Sequence, residues 1–85
     1  MKWFLYIAVC ADNSLYTGIT TDLARREKQH NSRKGAKSLL GKLPIKIIYS
    51  EKFDNQSQAA ERESAIKSWK RKTKMELIEK TGLSL

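Results

Sequence analysis

Residues 3–10 (WFLYIAVC) form an uncharged run, apolar on both faces and rich in aromatic and β-branched types. A strand of that kind must be covered on both sides, so it belongs in the middle of a sheet with a layer above and a layer below. With 85 residues there is room for one hydrophobic core, so everything else must be arranged around this strand. One domain spanning residues 1–85 is the expectation.

Residues 11–14 supply the turn formers Asp12 and Asn13, and residues 15–19 (LYTGI) return as a second strand, which predicts a hairpin. Gly18 marks a point where the backbone bends or a ligand comes close. Thr20, Thr21 and Asp22 offer capping groups to a helix from Leu23 through Asn31, a stretch free of Gly and Pro. Residues 32–42 (SRKGAKSLLGK) read as a mobile cationic loop with one helical turn at 36–40. After Pro44, the β-branched residues of 45–50 (IKIIYS) predict a third strand. Ser57 is placed to cap a helix running to about Lys72, with Ala59, Ile66 and Trp69 on its packing face. Thr73 and Glu76 match a capping box opening a last helix through Lys80, stopped at Gly82. The fold class is therefore α+β, a three-stranded antiparallel sheet flanked by helices in the order β-β-α-β-α-α.

Seventeen Lys and Arg against nine Asp and Glu give a formal charge of +8. So strong a field selects a polyanion, and nucleic acid fits best because neutralising phosphates releases condensed counterions. A membrane fits poorly. No helix carries a large Leu-rich or aromatic face, and no stretch approaches the ~20 apolar residues of a span. Cys10 is the single cysteine, which excludes an internal disulfide and a zinc cage of paired thiolates and suits a reducing, cytoplasmic setting. Lys2 and the apolar run after it resemble the start of a secretory signal. Cleavage there would discard the strand on which the sheet is built, and Asp12-Asn13-Ser14 reads better as a turn.

Gly-rich phosphate loops, a nucleophile elbow and paired histidines are all missing from the sequence, and His30 stands alone. What remains is sparse: Tyr6, Tyr16, Arg26, His30 and Glu63. Singly, each of the first four has an ordinary use as a core tyrosine, a solvated helix arginine or a helix-end histidine. Glu63 carries more information. It falls four residues after Ala59 and three before Ile66, beside the buried stripe, where a carboxylate needs a metal, Arg26 or a salt bridge as partner.

Together, Leu5-Tyr6-Ile7, Tyr16-Thr17-Gly18, Arg26 with His30 one turn on, and Glu63 resemble the GIY-YIG nuclease superfamily over about residues 3–78. Gln29-His30-Asn31 and Arg62-Glu63-Ser64-Ala65-Ile66-Lys67 are similar to its small single-domain bacterial branch. The resemblance implies Tyr6 as the tyrosine of the first triplet, Tyr16 and Gly18 in the second, Arg26 as the helix arginine and Glu63 as the acidic metal ligand. Leu5, Ile7 and Thr17 depart from the lettering of the triplets, and Met75 stands where many active members carry an Asn. The activity implied by the resemblance is that of a metal-dependent DNA endonuclease of low intrinsic sequence specificity, acting on nicked, branched or single-stranded structures in repair or recombination. It would act as a monomer, with a protein partner to supply specificity. The alternative, to which Met75 points, is a nucleic-acid-binding module of the same fold with little turnover.

Phosphodiester hydrolysis needs a cation to absorb charge on the phosphoryl oxygens, a group to activate water and an aligned leaving oxygen. Glu63 would hold one hard divalent ion, Mg²⁺ or Mn²⁺. Arg26 would clamp the scissile phosphate through its planar donors. A tyrosine, Tyr6 or Tyr16, would orient or deprotonate the attacking water, and His30 would donate to a phosphate or support a tyrosine. The nucleic acid itself is expected at Gly18, along the loop at Arg33, Lys34, Lys37 and Lys42, and at the end of the long helix at Lys67, Lys70 and Arg71.

Overall fold

A computed structural model of the chain describes residues 1–80. Strand β1 (Trp3–Val9) lies between β2 (Leu15–Thr20) and β3 (Lys46–Phe53) in an antiparallel sheet of order β2-β1-β3. The central position follows from the double-faced apolar pattern of β1. Leu5 and Ile7 enter one core with Ile48, Tyr49, Ile66 and Ile78, while Tyr6 and Ala8 enter a second core with Cys10, Leu39 and Ile45. None of Leu5, Tyr6, Ile7 and Ala8 is more than 1% exposed.

Helix α1 (Leu23–Asn31) follows β2, and a 3₁₀ turn at Lys37–Leu39 precedes β3; α2 (Gln56–Lys67) and α3 (Arg71–Lys80) complete the predicted α+β order. Ile66 of α2 and Ile78 of α3 cover the first face of the sheet, and the segment between α1 and β3 covers the second with Leu39 and Ile45. Residues 32–42 were expected to be a mobile cationic loop with one helical turn at 36–40; the turn forms at Lys37–Leu39, and Leu39 anchors the otherwise largely exposed stretch in the core. Asn31 holds its far end by donating to the Ile45 carbonyl at 2.9 Å and accepting from the Ile45 amide at 2.7 Å, and the Lys42 carbonyl accepts from the Ala11 amide at 2.8 Å. Tyr6 and Ala8 require a cover there that α1 alone does not supply.

Other boundaries shift for local reasons. β3 runs past residue 50 because Glu51, Lys52 and Phe53 find partners in Leu5, Phe4 and Trp3. Ile7 pairs with Tyr49 and Ala8 with Ile47, so Ile48 is the extra residue of a β-bulge. Asp22 caps α1 as expected, accepting from the Arg25 amide. Asn55, rather than Ser57, caps α2, and the helix ends at Lys67 rather than near Lys72. Trp69 consequently lies in the turn after α2, half-buried against the first core. Because α3 already begins at Arg71, Thr73 sits inside the helix and the expected capping box does not form. The expected stop at Gly82 lies outside the described residues.

Candidate active site

Strand alternation and register bring three of the candidate residues together. Tyr6 stands opposite Gly18, and Ala8 opposite Tyr16, so the two tyrosines share the face that the α1–β3 segment covers. Their ring centres are 6.2 Å apart. His30, at the end of α1, sets its ring edge against Tyr16 at 5.5 Å between centres and places Nε2 2.9 Å from the Tyr6 hydroxyl.

Two glycines make this cluster possible. A Cβ at Gly18 would lie 2.6 Å from the Tyr6 hydroxyl, and one at Gly35 would lie 2.1 Å from Nδ1 of His30. The close approach that the sequence assigns to Gly18 is therefore made by a side chain of the protein itself.

The tautomer of His30 follows from its neighbours. The Ala36 amide donates to Nδ1 at 3.3 Å, so the ring proton resides on Nε2 and is donated to the Tyr6 oxygen. Burial, and then the positive charge of Arg26, lower the pKa of His30 and keep the ring neutral. For Tyr6, burial dominates and pushes the hydroxyl up to about 12; Arg26 pulls it down, and Tyr16 and Glu63 add to the rise. Arg26, Tyr16 and Glu63 are thus within electrostatic reach of the phenol oxygen that His30 hydrogen-bonds. Arg26 is half-buried, and its Nη1 donates to the Gln29 side chain at 3.2 Å.

Glu63 is half-buried, and its ion-pair partner, Lys67 at 3.2 Å, sits one turn later on the same helix. Among the described residues, no three His, Cys, Asp or Glu side chains are grouped to cage a metal. A lone hard oxygen donor of this kind still fits Mg²⁺, which binds through one or two carboxylates and completes its shell with water and phosphate.

Residues 2–76 match the GIY-YIG catalytic domain. The chain belongs to the GIY-YIG family. It is 46% identical over 76 residues to a UPF0213 protein of Haloquadratum walsbyi, covering 89% of this chain and 85% of that protein. It is 44% identical over 78 residues to a UPF0213 protein of Staphylococcus haemolyticus, covering 92% and 95%. The solution NMR structure of a UPF0213 protein from Bacillus halodurans superposes with a TM-score of 0.60 at 38% identity, over 93% of this chain and 84% of that one. A second NMR structure, from E. faecalis, gives 0.65 at 34% identity, over 100% and 91%. GIY-YIG proteins form a nuclease family, generally dependent on a divalent metal, and the domain points to nucleic acid as partner.

The basic residues of this GIY-YIG chain divide by what already engages them. Arg33, Lys34, Lys37 and Lys70 are exposed, Lys42 is half-buried, and Lys67 is drawn to Glu63. Arg71 donates from Nη1 to the Asn13 carbonyl at 2.7 Å, which ties the start of α3 to the β1–β2 turn. No helix among the described residues is long and apolar enough to cross a membrane.

Sequence reasoning missed Gly35, and it missed a cluster formed by Tyr49, Glu51 and Arg62, the residue just before Glu63. Arg62 could have been found. It lies three residues after Ala59 and four before Ile66, beside the same stripe as Glu63.

Proposed function

We propose that the protein is a divalent-metal-dependent endonuclease that hydrolyses phosphodiester bonds in DNA with little sequence specificity of its own. The observation that carries this reading is the buried Tyr6–His30 hydrogen bond, with Tyr16, Arg26 and Glu63 all acting on the same phenol. Glu63 would hold one Mg²⁺ or Mn²⁺, which when bound supplies charge stabilisation for the phosphoryl oxygens. Arg26 binds the scissile phosphate through its planar donors.

Tyr6 is the base in this scheme. His30 donates to its oxygen and Arg26 lowers its pKa, but burial outweighs them and leaves the hydroxyl raised to about 12, so the phenolate that would take the proton is the minor form at neutral pH. His30 is its positioning partner, held in the required tautomer by the Ala36 amide. Tyr16, half-buried over the His30 ring edge, shields that hydrogen bond and lines the approach to Tyr6. Lys34, Lys37, Lys42 and Lys70, with Arg33, meet phosphates away from the reacting bond. We place the activity in the cytoplasm, in a monomer of one domain, on nicked or branched substrates during repair or recombination, with a partner protein supplying selectivity.

The test is nicking of supercoiled plasmid, and cleavage of flap and branched duplexes, in Mg²⁺ and in Mn²⁺. Glu63→Ala and Arg26→Ala should each abolish it, and activity that survives both substitutions would sink the assignment. One observation favours a second reading, a binding module with little turnover. Met75, where many active relatives of this fold carry an Asn, is packed against the first core and offers no polar group to a substrate. Salt-sensitive DNA binding without cleavage in either metal would select that reading.

A further inference from the structure

Arg62 directly precedes Glu63, and it joins α2 to β3 by a two-point clamp. Its Nε donates to one oxygen of Glu51 at 2.9 Å and its Nη2 to the other at 3.0 Å. Tyr49 donates to the same carboxylate, and the Trp69 ring lies 5.2 Å from the guanidinium carbon. Burial pushes the Glu51 carboxyl up, but hydrogen bonds from Arg62 and Tyr49 outweigh it and keep the group ionised.

Helical geometry gives the clamp a consequence. At roughly 100° per residue, Ala59 and Ile66 mark a buried line along α2, with Arg62 about 50° to one side of it and Glu63 about 50° to the other. Ala59 offers the sheet one methyl group, which leaves Ile66 as the one large fully buried side chain of α2 to resist rolling. We propose that Arg62 is a positioning residue: clamped to Glu51 on one flank of α2, it fixes the roll of the helix and hence the point at which Glu63 presents its carboxylate from the other flank. This rests on the metal-binding role of Glu63 proposed above.

The lever is short and the tolerance small. Side-chain ends lie about 5–6 Å from a helix axis, so a roll of ~10° moves the Glu63 carboxylate by about 1 Å. Misplacement on that scale costs an enzyme on the order of 100-fold in rate. Lysine in place of Arg62 keeps the charge but loses both the paired donors and the stacking plane.

The experiment compares the unaltered protein with Arg62→Met, Arg62→Lys and Glu51→Gln in two ways. Backbone residual dipolar couplings of α2 in metal-free protein report its roll. Plasmid nicking at saturating Mg²⁺, well below each melting temperature, gives kcat and KM. The expected result is a rolled α2 in all three variants, kcat down about 10- to 100-fold and KM changed less than about twofold. Unchanged couplings overturn the proposal whatever happens to kcat, because the helix would then be held without Arg62. A rolled helix with unchanged kcat overturns it too, because the aim of Glu63 would not matter. If the unaltered protein does not cleave DNA, the nuclease reading fails by itself, and the couplings still decide whether Arg62 sets the roll of α2.

Discussion

Gly18 and Tyr6 face each other across the β1–β2 ladder so closely that a Cβ on Gly18 would stand 2.6 Å from the tyrosine oxygen and 2.7 Å from Cζ. Neither atom can yield cheaply. Tyr6 is 1% exposed, and its hydroxyl is held on another side by His30. Gly18→Ala should therefore cost about 1–3 kcal/mol of stability, the usual penalty for overfilling a packed site. It should also break the Tyr6–His30 bond, and nicking should fall by roughly 100-fold if the ring moves by about 1 Å. Thermal melts and plasmid nicking measure the two effects. A variant that folds, melts lower and nicks normally would separate the placement of Tyr6 from the chemistry.

The same hydroxyl predicts a pH–rate profile. Burial raises Tyr6 to about 12, so at neutral pH the phenol is protonated and the form able to take a proton from water is scarce. The rate at fixed metal should then climb with pH, by close to tenfold per unit between about pH 7 and 9 where chemistry is limiting. Tyr6→Phe should lower the rate and remove the slope, whereas Tyr16→Phe should lower the rate and leave the slope. The reverse pattern would hand the base role to Tyr16.

How much of this could be read from the sequence differs between local and crossed relationships. The β1 run announced a central strand because an alternation of apolar residues on both faces is visible within seven positions. The spacing of Ala59, Glu63 and Ile66 likewise placed Glu63 beside a buried stripe. Gly35 was not legible, because its reason for being glycine is the ring of His30, which reaches it only when the chain turns back after α1. The Arg62–Glu51 clamp depends on the register of a helix over a strand, and residue spacing within either element does not encode it. Trp69 shows the opposite error: its helix-like distance from Ile66 suggested one helix, whereas burial of Trp69 and Ile78 on the same core needs a turn between α2 and α3.

His30 should leave a signature in stability. It is the single histidine of the chain, and burial keeps its pKa in the fold below 6.5. As pH falls below the unfolded value of about 6.5, the unfolded chain takes up a proton that the folded ring refuses, so stability falls with it. Glu51, whose folded pKa lies below 4.5, adds a separate loss only as pH drops through the carboxylate range. Melting temperature should thus begin to decline as pH falls below about 6.5, and His30→Gln should flatten that part of the curve while leaving the decline below about pH 4.5. An unaltered slope in the variant would mean that the ring is not buried in neutral form.

Lys67 supplies the last test, since it occupies the carboxylate assigned to the metal. The Lys67–Glu63 pair spans one helical turn and Lys67 is more than half exposed, so it is worth only about 0.3–0.5 kcal/mol. An incoming divalent ion displaces so weak a partner readily. Removing it should therefore help metal binding by no more than about twofold, the factor that ~0.5 kcal/mol represents. Lys67→Ala should shift the half-saturating Mg²⁺ concentration down by that small factor, and should weaken DNA binding through the loss of one cation. A shift of tenfold or more would show that Lys67 restrains Glu63 far more strongly than an exposed pair can, and would make it a gate on the metal site.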